Sequence, residues 1–449
     1  MPLMYDPLKD ESPGINEPYP SSYWAKNSGK APTDTKNLES DIDVDVAIIG
    51  GGYTGLSCAL HLAKEHHIKA HVLEANQTAW GCSGRNAGFI LKSTGRKPYS
   101  SMLKQWGKPI THGIYDEVCE GVERVNQLIE TGIECDVQSK GYLRVAHKPS
   151  MLKALEQQSK LLKKEFNYET QIISKDEINQ NYFNSKDIHG AIHFADGYGI
   201  NPLKLAWGYQ KMAQELGANI YTGSPVVDWR EENNRQVLMT PKGQVTAKKV
   251  VLATNGYTPK GFHCSIDNRT LPVLSQIIVT EPLTDQQIAE TNFLTSKVVM
   301  DTRALKYYFR KLPDNRILFG GRGAISGKDA NNPYFANRLL NELKRSFPPL
   351  KCIKLDYSWS GWISISLDDI PHIRQADEKG NVFYSAGYCG NGVSFAVQAG
   401  HRLAQKVAGI EIPNLPFYNS DLPKFPLAKF RRLGQWGYFR YGKVKDRWL

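Results

Sequence analysis

Residues 44–74 read VDVAIIGGGYTGLSCALHLAKEHHIKAHVLE, and this stretch decides the fold. An apolar strand leads into Gly50, Gly52 and Gly55, an amphipathic helix follows, and a second strand ends at Glu74. In a dinucleotide-binding βαβ unit the glycines permit a tight turn, approach of a pyrophosphate and close helix packing, while the helix N-terminus attracts the phosphates. Glu74, 24 residues after Gly50, stands where a carboxylate accepts hydrogen bonds from a ribose diol. The stretch predicts a dinucleotide site; the alternative is a glycine-rich turn that binds nothing.

The length and overall composition limit which class of protein this chain can be. A chain of 449 residues with 41% hydrophobic and 22% charged residues is typical of a soluble globular protein of about two to three domains. Residues 1–30 carry acids and prolines where a signal peptide needs a basic start and an apolar run, so we expect a cytoplasmic protein. The seven cysteines are scattered and never spaced CxxC, which argues against a disulfide framework or a metal site.

The C-terminal segment is strongly basic. Residues 424–449 hold eight Lys and Arg against one Asp, which is +7 of the net charge of +11, together with seven aromatic residues. This mixture is compatible with weak contact with an acidic membrane surface, or with nucleic acid. The interpretation favoured here is a helix whose aromatic residues dock on the protein while its cations face water. No RNA-binding motif accompanies the charge, so no nucleic-acid partner is expected.

The order of predicted elements indicates an α/β fold. Strands alternate with helices, including helices predicted over 114–130 and 151–166, which implies a parallel sheet covered on both faces. Strand-rich insertions interrupt this sheet and are expected to form a second, mixed β-sheet domain over the ligand. The predicted segments are an N-terminal arm (1–43), a discontinuous nucleotide-binding domain (44–105, 201–265 and 359–410), a substrate domain (106–200 and 266–358) and a basic aromatic C-terminal segment (411–449).

Three further segments are candidates for the same ligand. The glycine-dense stretch that follows Glu74 lets backbone N–H groups approach a ligand, with Arg85 and Asn86 as donors. A strand ends in ATNG at 253–256, and another runs through Gly387 into a helix. That second helix N-terminus has no ribose acid after it, so it suits a part of the same cofactor that acquires negative charge. The candidates in these segments are Ser83, Gly84, Arg85, Asn86, Ala87, Gly88, Phe89, Ala253, Thr254, Gly256, Gly387, Gly390, Asn391, Gly392 and Val393.

On these motifs the chain resembles the FAD-dependent D-amino-acid oxidase superfamily, which includes sarcosine and glycine oxidases. Within it, the chain is most similar to the gamma-glutamylputrescine oxidase type. The pieces that carry the resemblance are GGGYTG (50–55) with Glu74, SGRNAGF (83–89), IECDVQSKGYLRVA (133–146), Asn201-Pro202, ATNG (253–256), WSGWISISLDDIP (359–371), GYCGNGV (387–393) and FRRLGQWGYFRYGKVKD (430–446).

The resemblance implies FAD held by a discontinuous Rossmann-like domain of the glutathione-reductase type. The ADP half would lie on the first βαβ unit, and Val226 would meet the adenine through its main chain. The segment 83–89 would follow the pyrophosphate and flavin, and Gly390–Val393 would meet the pyrimidine edge of the flavin. The residues expected at the ADP half are Gly50, Gly52, Tyr53, Thr54, Gly55, Glu74 and Ala75.

The resemblance also implies oxidation of an amine or amino acid to an imine, with hydride passing to the flavin. The amine must be neutral to release hydride, and a dry aromatic site favours the neutral form by lowering the pKa of the amine. Arg310 is a candidate for binding a substrate carboxylate, and His372 is a candidate base; structural roles are the alternatives for both. The aromatic candidates, each alternatively a core residue, are Tyr257, Tyr308, Trp359 and Trp362.

Two departures from the sarcosine-oxidase pattern bear on the chemistry. Those enzymes tether flavin through a cysteine whose position here is Gly361, so we expect non-covalent FAD. They also place a lysine over the flavin, where it helps O2 to react. The corresponding segment here, RILFGGRG (316–323), has no lysine, so both O2 and another molecule stay open as the electron acceptor. Two alternatives stand beside the amine oxidoreductase: a membrane-docking dehydrogenase that reduces quinone, and a flavin-binding protein without turnover.

Overall fold

The computed structural model describes residues 4–448. The strands are β1 (Ile42–Ile49), β2 (Ala70–Leu73), β3 (Phe89–Ile90), β4 (Tyr142–Val145), β5 (Gln171–Ile173), β6 (Ala191–Phe194), β7 (Tyr198–Gly199), β8 (Asn219–Tyr221), β9 (Asp228–Glu232), β10 (Arg235–Thr240), β11 (Gly243–Leu252), β12 (Thr270–Thr280), β13 (Val298–Asp301), β14 (Tyr308–Lys311), β15 (Ile317–Arg322), β16 (Leu355–Ser366), β17 (His372–Gln375) and β18 (Val382–Ala386). The helices are α1 (Tyr23–Asn27), α2 (Tyr53–His66), α3 (Tyr99–Glu130), α4 (Pro149–Phe166), α5 (Lys175–Asn181), α6 (Pro202–Glu215), α7 (Asp285–Thr291), α8 (Pro333–Ser346), α9 (Gly392–Val407), α10 (Pro416–Asn419) and α11 (Arg431–Trp448).

The first sheet is parallel at its centre. Its strands run in the order β17-β18-β11-β1-β2-β8, all neighbours being parallel except the antiparallel edge strand β17. β10 and β9 extend β11 as an antiparallel ribbon. The last four residues of β1 are all buried, as expected for a strand covered on both faces. α2 and α9 pack on one of those faces. The predicted α/β class, with a discontinuous Rossmann-like sheet, is confirmed.

The second sheet is mixed, as predicted. Its eight strands follow the order β16-β12-β15-β14-β13-β4-β6-β5, with β13 and β4 parallel and the other pairs antiparallel. One face packs against α8, where Phe309 and Phe319 meet Leu339. The strand register puts Arg144, Tyr308 and Trp359 in one row on the opposite face. We call this opposite face, which is turned toward the first sheet, the inner face.

Several boundaries differ from the sequence expectation. The helix predicted over 114–130 is the second part of α3, which starts at Tyr99 and kinks at Gly107 (φ 73°, ψ 178°). The helix predicted over 151–166 starts at Pro149, because proline fits the first helical turn. The predicted domain boundary between residues 358 and 359 falls inside β16, which belongs to the second sheet along its whole length. The rest of the seven-segment division stays a prediction.

The N-terminal arm contributes more to the core than its sequence suggested. Trp24 is 2% exposed and donates its indole N–H to the carbonyl of Asn86 at 2.9 Å. The ring of Tyr5 stacks on Tyr257 at 6.3 Å between centroids. The indole N–H of Trp80 binds the carbonyl of Pro18 at 2.9 Å. Aromatic anchors therefore fasten the arm across the first domain.

Replacing Gly55 tests the packing of α2 on β1. A Cβ at this position would overlap the carbonyl oxygen of Gly50 and lie 3.2 Å from Cγ2 of Ile48. We expect Gly55→Ala to lower the free energy of unfolding by about 1–3 kcal/mol, the usual cost of overpacking. The midpoint of urea unfolding, followed by circular dichroism, measures the change.

Gly437→Ala in α11 is the matched control, because nothing lies within 4 Å of its Cβ position. Alanine also favours a helix over glycine by about 1 kcal/mol. This control is expected to unfold at the wild-type urea concentration or slightly above it. Equal midpoints for Gly55→Ala and the wild type would contradict the argument.

Candidate functional site

A cleft of about 1240 Å³, including the part open to solvent, begins at the C-terminal ends of β1, β2 and β11. Ile49, Leu73 and Ala253 line this end, which is where open parallel sheets usually bind ligands. The cleft continues past Tyr257 to Ile363 of β16, so both sheets contribute to its walls.

The first turn of the cleft is built around a buried acid. Gly50 has φ +108°, a conformation that favours glycine. The Gly51 N–H donates to Oε2 of Glu74 at 2.7 Å, and the Asn76 N–H donates to Oε1 at 3.0 Å. Burial raises the pKa of Glu74, and these N–H donors oppose that rise. α2 begins at Tyr53, after Gly52, which has no side chain to cap it, and its N-terminus faces the cleft, where the Ser83 hydroxyl accepts the Tyr53 N–H at 2.9 Å.

A second helix N-terminus faces the other part of the cleft. α9 begins after Asn391 with no side-chain cap hydrogen bond. Gly390 has φ +92°, and a Cβ there would have no heavy atom within 4 Å. A Cβ at Gly392 would meet only Cβ of Tyr388, at 4.0 Å. Space remains open in front of this helix, so an anionic group can approach its N–H groups.

Fifteen of the predicted cofactor residues meet in this one cleft. They come from six stretches of the chain, from Gly50 to Val393, that are brought together only by folding. They are Gly50, Gly52, Tyr53, Thr54, Glu74, Ala75, Ser83, Asn86, Val226, Ala253, Thr254, Gly256, Gly390, Gly392 and Val393. The two helix N-termini, the glycines and the buried carboxylate fit a dinucleotide.

The other predicted cofactor residues do not line the cleft. Most of them lie in the segment 84–89, which joins the two sheets: β3 pairs with β7, and a Cβ at Gly88 would overlap the carbonyl oxygen of Ile200. Arg85, expected to donate to a ligand, instead donates to the carbonyls of Trp80 (2.7 Å) and Ser360 (3.3 Å). The residues outside the cleft lining are Gly55, Gly84, Arg85, Ala87, Gly88, Phe89, Gly387 and Asn391.

The guanidinium of Arg310 also forms its hydrogen bonds within the protein. Its guanidinium is buried and donates to Oε1 of Gln138 at 2.6 Å and to the carbonyl of Ile200 at 2.5 Å. It lies over the rings of Trp24 and Phe89, at 5.3 and 5.8 Å. Burial lowers the pKa of Arg310 to about 9. Both terminal nitrogens have protein acceptors, so the structure does not support the predicted contact with a substrate carboxylate.

His372 has a structural environment. It is 0% exposed, with Nε2 3.1 Å from both carboxylate oxygens of Asp368 and Nδ1 3.0 Å from the carbonyl of Ser420. Neither nitrogen faces the cleft. A role as catalytic base is therefore not supported by the structure.

The aromatic candidates lie in three places: the inner face, the opposite face of the second sheet, which holds Trp362, and the cleft. Tyr308 lies on the inner face and bonds the hydroxyl of Ser275 at 2.7 Å. Trp359 donates to the carbonyl of Arg85 at 2.8 Å, and Trp362 donates to that of Tyr5 at 2.7 Å, so both indoles serve packing. Of the four, only Tyr257 lines the cleft.

Sequence reasoning missed several cleft residues. Tyr388 bonds Oγ1 of Thr54 at 2.6 Å and so connects the two helix N-termini; its place inside GYCGNGV was the available signal. Pro13 and Phe262 arrive from the arm and from a loop without any motif. Further lining residues that were not predicted include Trp80, Cys82, Asn255 and Ser364.

Cysteines near the site are protonated thiols. Burial raises the pKa of Cys82, which lines the cleft, to about 11 and that of Cys389 also to about 11. Gly361 packs against Arg85, with its Cβ position 3.1 Å from Cβ of that residue. In residues 4–448 no three His, Cys, Asp or Glu side chains are grouped as metal ligands.

Comparison with known proteins gives a family match and related sequences over most of the chain. The family described as "DAO: FAD dependent oxidoreductase" matches residues 45–406. Gamma-glutamylputrescine oxidoreductase of Escherichia coli (strain K12) is 34% identical over 416 residues, which cover 92% of this chain and 94% of that protein. Glycine oxidase of Bacillus subtilis (strain 168) is 21% identical over 380 residues, covering 82% of this chain and 94% of that protein.

Solved structures share the fold. Glycine oxidase from Geobacillus kaustophilus superposes with a TM-score of 0.72 at 21% identity, over 86% of this chain and 99% of that one. L-proline dehydrogenase from P. horikoshii gives 0.68 at 20% identity, over 85% and 96%. The resemblance inferred from the motifs is thereby confirmed, and the chain belongs to the DAO family of FAD-dependent oxidoreductases.

Proposed function

We propose that this enzyme oxidises the C–N bond of an amine or amino acid to an imine, using FAD bound non-covalently in the cleft. The observation that carries the proposal is the single cleft that connects the Glu74 turn with β16 of the second sheet. Relatives named for gamma-glutamylputrescine, glycine and sarcosine support an amine or amino acid as substrate. We place the enzyme in the cytoplasm, where small amines are available to it as substrates.

The proposed seat of FAD uses the residues described above. Gly50, Gly52 and Glu74 would hold the ADP half, and Val226 would lie at the adenine. Gly390–Val393, at the N-terminus of α9, would meet the flavin. A helix N-terminus stabilises negative charge by about 0.3–2 kcal/mol, which favours an electron-rich group at this end of the cleft. When bound, FAD supplies the hydride acceptor.

The chain itself would bind the amine and keep it neutral. Tyr257 lines the cleft and provides aromatic surface that excludes water, and a dry surface lowers the pKa of a bound amine. Burial raises the pKa of Tyr257 to about 12, so its hydroxyl stays protonated and can donate a hydrogen bond. Deprotonation of the amine would thus depend on its environment, since His372 faces away.

Non-covalent attachment has a direct test. Because Gly361 replaces the expected cysteine and Cys82 is a protonated thiol, acid precipitation of purified holoenzyme should leave yellow colour in the supernatant. The absorbance of supernatant and pellet near 450 nm measures the partition. Colour retained in the pellet would contradict non-covalent binding.

Substrate oxidation is tested by anaerobic bleaching of the flavin. We expect gamma-glutamylputrescine, or another amine or amino acid in a broad panel, to bleach the 450 nm absorbance of the holoenzyme. Matched 2-hydroxy acids serve as controls and should leave it unchanged. Re-oxidation by air, or only by an added quinone or dye, then decides between O2 and another acceptor. A panel that never bleaches the flavin would favour a binding protein without turnover.

The C-terminal helix suggests a further contact. Contrary to the favoured interpretation of the sequence, most aromatic residues of this segment face solvent: the exposed fraction is 49% for Trp436, 52% for Tyr441 and 73% for Trp448. Leu433 and Val444 share the outward side of α11, with Arg440 and Arg447 beside them. Within residues 4–448 no helix is long and apolar enough to cross a membrane. We propose that α11 lies on an acidic membrane surface.

Vesicle flotation tests this contact. The full protein should float with phosphatidylserine-containing vesicles and much less with pure phosphatidylcholine, and less at high salt, since each cation near an anionic surface contributes about 1 kcal/mol. Replacing Trp436 and Trp448 with Ser should reduce the bound fraction. Tyr334→Ser, which removes another exposed aromatic ring (57%), is the matched control. Equal flotation of the double variant and the wild type, or self-association in place of flotation, would overturn the proposal.

A further inference from the structure

An ion pair joins the two ends of the chain. Asp6 of the N-terminal arm pairs with Arg432, which lies in the first turn of α11. Asp6 is 3% exposed, and Arg432 also donates to the carbonyl of Ile325 at 2.6 Å. Both segments lie outside residues 45–406, the span of the family match. We call the Asp6–Arg432 ion pair the terminal latch.

The carboxylate of Asp6 connects three parts of the protein. Its Oδ1 accepts the Leu8 N–H at 3.1 Å and the guanidinium of Arg432. Its Oδ2 accepts the N–H of Gly327, in the loop after β15, at 2.9 Å. A buried carboxylate that loses its cation is strongly unfavourable, so the terminal latch needs the arm and α11 to be seated together.

The residue before Asp6 reaches the wall of the cleft. The ring of Tyr5 stacks on Tyr257, and its hydroxyl donates to the carbonyl of Tyr257 at 3.1 Å. The carbonyl of Tyr5 accepts the indole N–H of Trp362 at 2.7 Å. The backbone N–H of Trp362 in turn donates to the hydroxyl of Tyr257 at 3.2 Å. Tyr257, which lines the cleft, is therefore held from behind by the arm and β16.

α11 supports the same side of the cleft. The guanidinium of Arg432 lies over the ring of Trp362, 5.5 Å from its centroid. Two turns later, Phe439 packs on an apolar cluster that also supports Ile363, a residue of the cleft wall. The buried members of that cluster are Val273, Ile365 and Cys389. The arm and α11 thus back neighbouring parts of one wall.

We propose that the terminal latch positions this wall for FAD binding, acting through Tyr257 and Ile363. Asp6 and Arg432 do not line the cleft, so both are positioning residues. The proposal rests on the non-covalent seat of FAD proposed above, and it does not depend on the identity of the substrate. Removing either charge would leave the other partly buried without its counter-charge, and the arm and α11 would then separate from the wall.

Release of FAD tests the terminal latch. A dilution series of the holoenzyme, with the fluorescence of released FAD as the signal, gives the Kd of FAD. Asp6→Asn and Arg432→Met should each raise this Kd about tenfold, within the range for residues coupled in one network. The double variant should raise it no further than the weaker-binding single variant, because all three variants lose the same interaction.

Asp187 and Arg345 provide the matched control. They form another ion pair, at 2.7 Å, and neither of them lines the cleft. Asp187→Asn and Arg345→Met should leave the Kd of FAD unchanged, even where they lower the unfolding temperature. An equal rise of the Kd in the control and latch variants would reveal a general loss of stability and would overturn the positioning role.

Milder variants separate positioning from misfolding. Arg432→Lys keeps the charge and should bind FAD with nearly the wild-type Kd. Tyr5→Phe keeps the stacked ring, removes only the hydroxyl that bonds Tyr257, and should raise the Kd about threefold. Visible circular dichroism of the flavin, recorded with excess FAD, should change in Arg432→Met and stay as in the wild type in Arg345→Met. Wild-type Kd and spectra in both Asp6→Asn and Arg432→Met would sink the proposal.

This proposal and the proposed function fail separately. If acid precipitation leaves the yellow colour in the pellet, the non-covalent seat of FAD is wrong. The visible circular dichroism spectra, which need no release of FAD, then still decide whether the terminal latch positions the wall. If a broad panel of amines and amino acids leaves the flavin oxidised, the proposed function is wrong, and the Kd of FAD in the latch variants is unaffected by that result.

Discussion

The site depends on one close contact, that between Gly55 of α2 and the carbonyl of Gly50 at the end of β1. Only a residue without a side chain allows the helix to approach the strand this closely, and the approach directs the N-terminus of α2 at the sheet edge. A second glycine allows α9 to pack equally closely on α2, because a Cβ at Gly400 of α9 would lie 2.6 Å from Cβ of Ser57 in α2. Two helix N-termini consequently converge on one cleft because each helix is packed through glycine.

The contact between the two sheets depends on a buried arginine and not on glycine packing alone. Arg310 is buried between them, and glycines make room for it: a Cβ at Gly88 would lie 2.9 Å from its Nη2, and one at Gly199 would overlap its Nη1. An arginine so enclosed by backbone carbonyls and aromatic rings holds the joint between β3, β7 and β14.

The sequence was most informative where local pattern and function coincide. The GGGYTG turn, Glu74 and GYCGNGV could be assigned because strand, glycine and helix signals are all local, and they lie in or around the cleft. Arg85 and Arg310 donate to the protein and not to the cleft, and His372 has the structural environment that the sequence analysis gave as its alternative. Polar residues in a motif do not reveal whether backbone carbonyls, such as those of Trp80 and Ile200, or nearby acids such as Asp368, will take their donors.

The arm has a consequence for the stability of the whole enzyme. Tyr5, Pro13 and Trp24 attach the first residues of the chain beside the cleft, with Pro13 forming part of its wall. A ligand that fills the cleft contacts Pro13 only when the arm is seated, so the seated arm gains that contact when the ligand is bound. The two events are thermodynamically linked, so each stabilises the other by mass action. A ligand in the cleft therefore adds to the aromatic contacts that already hold the arm on the first domain.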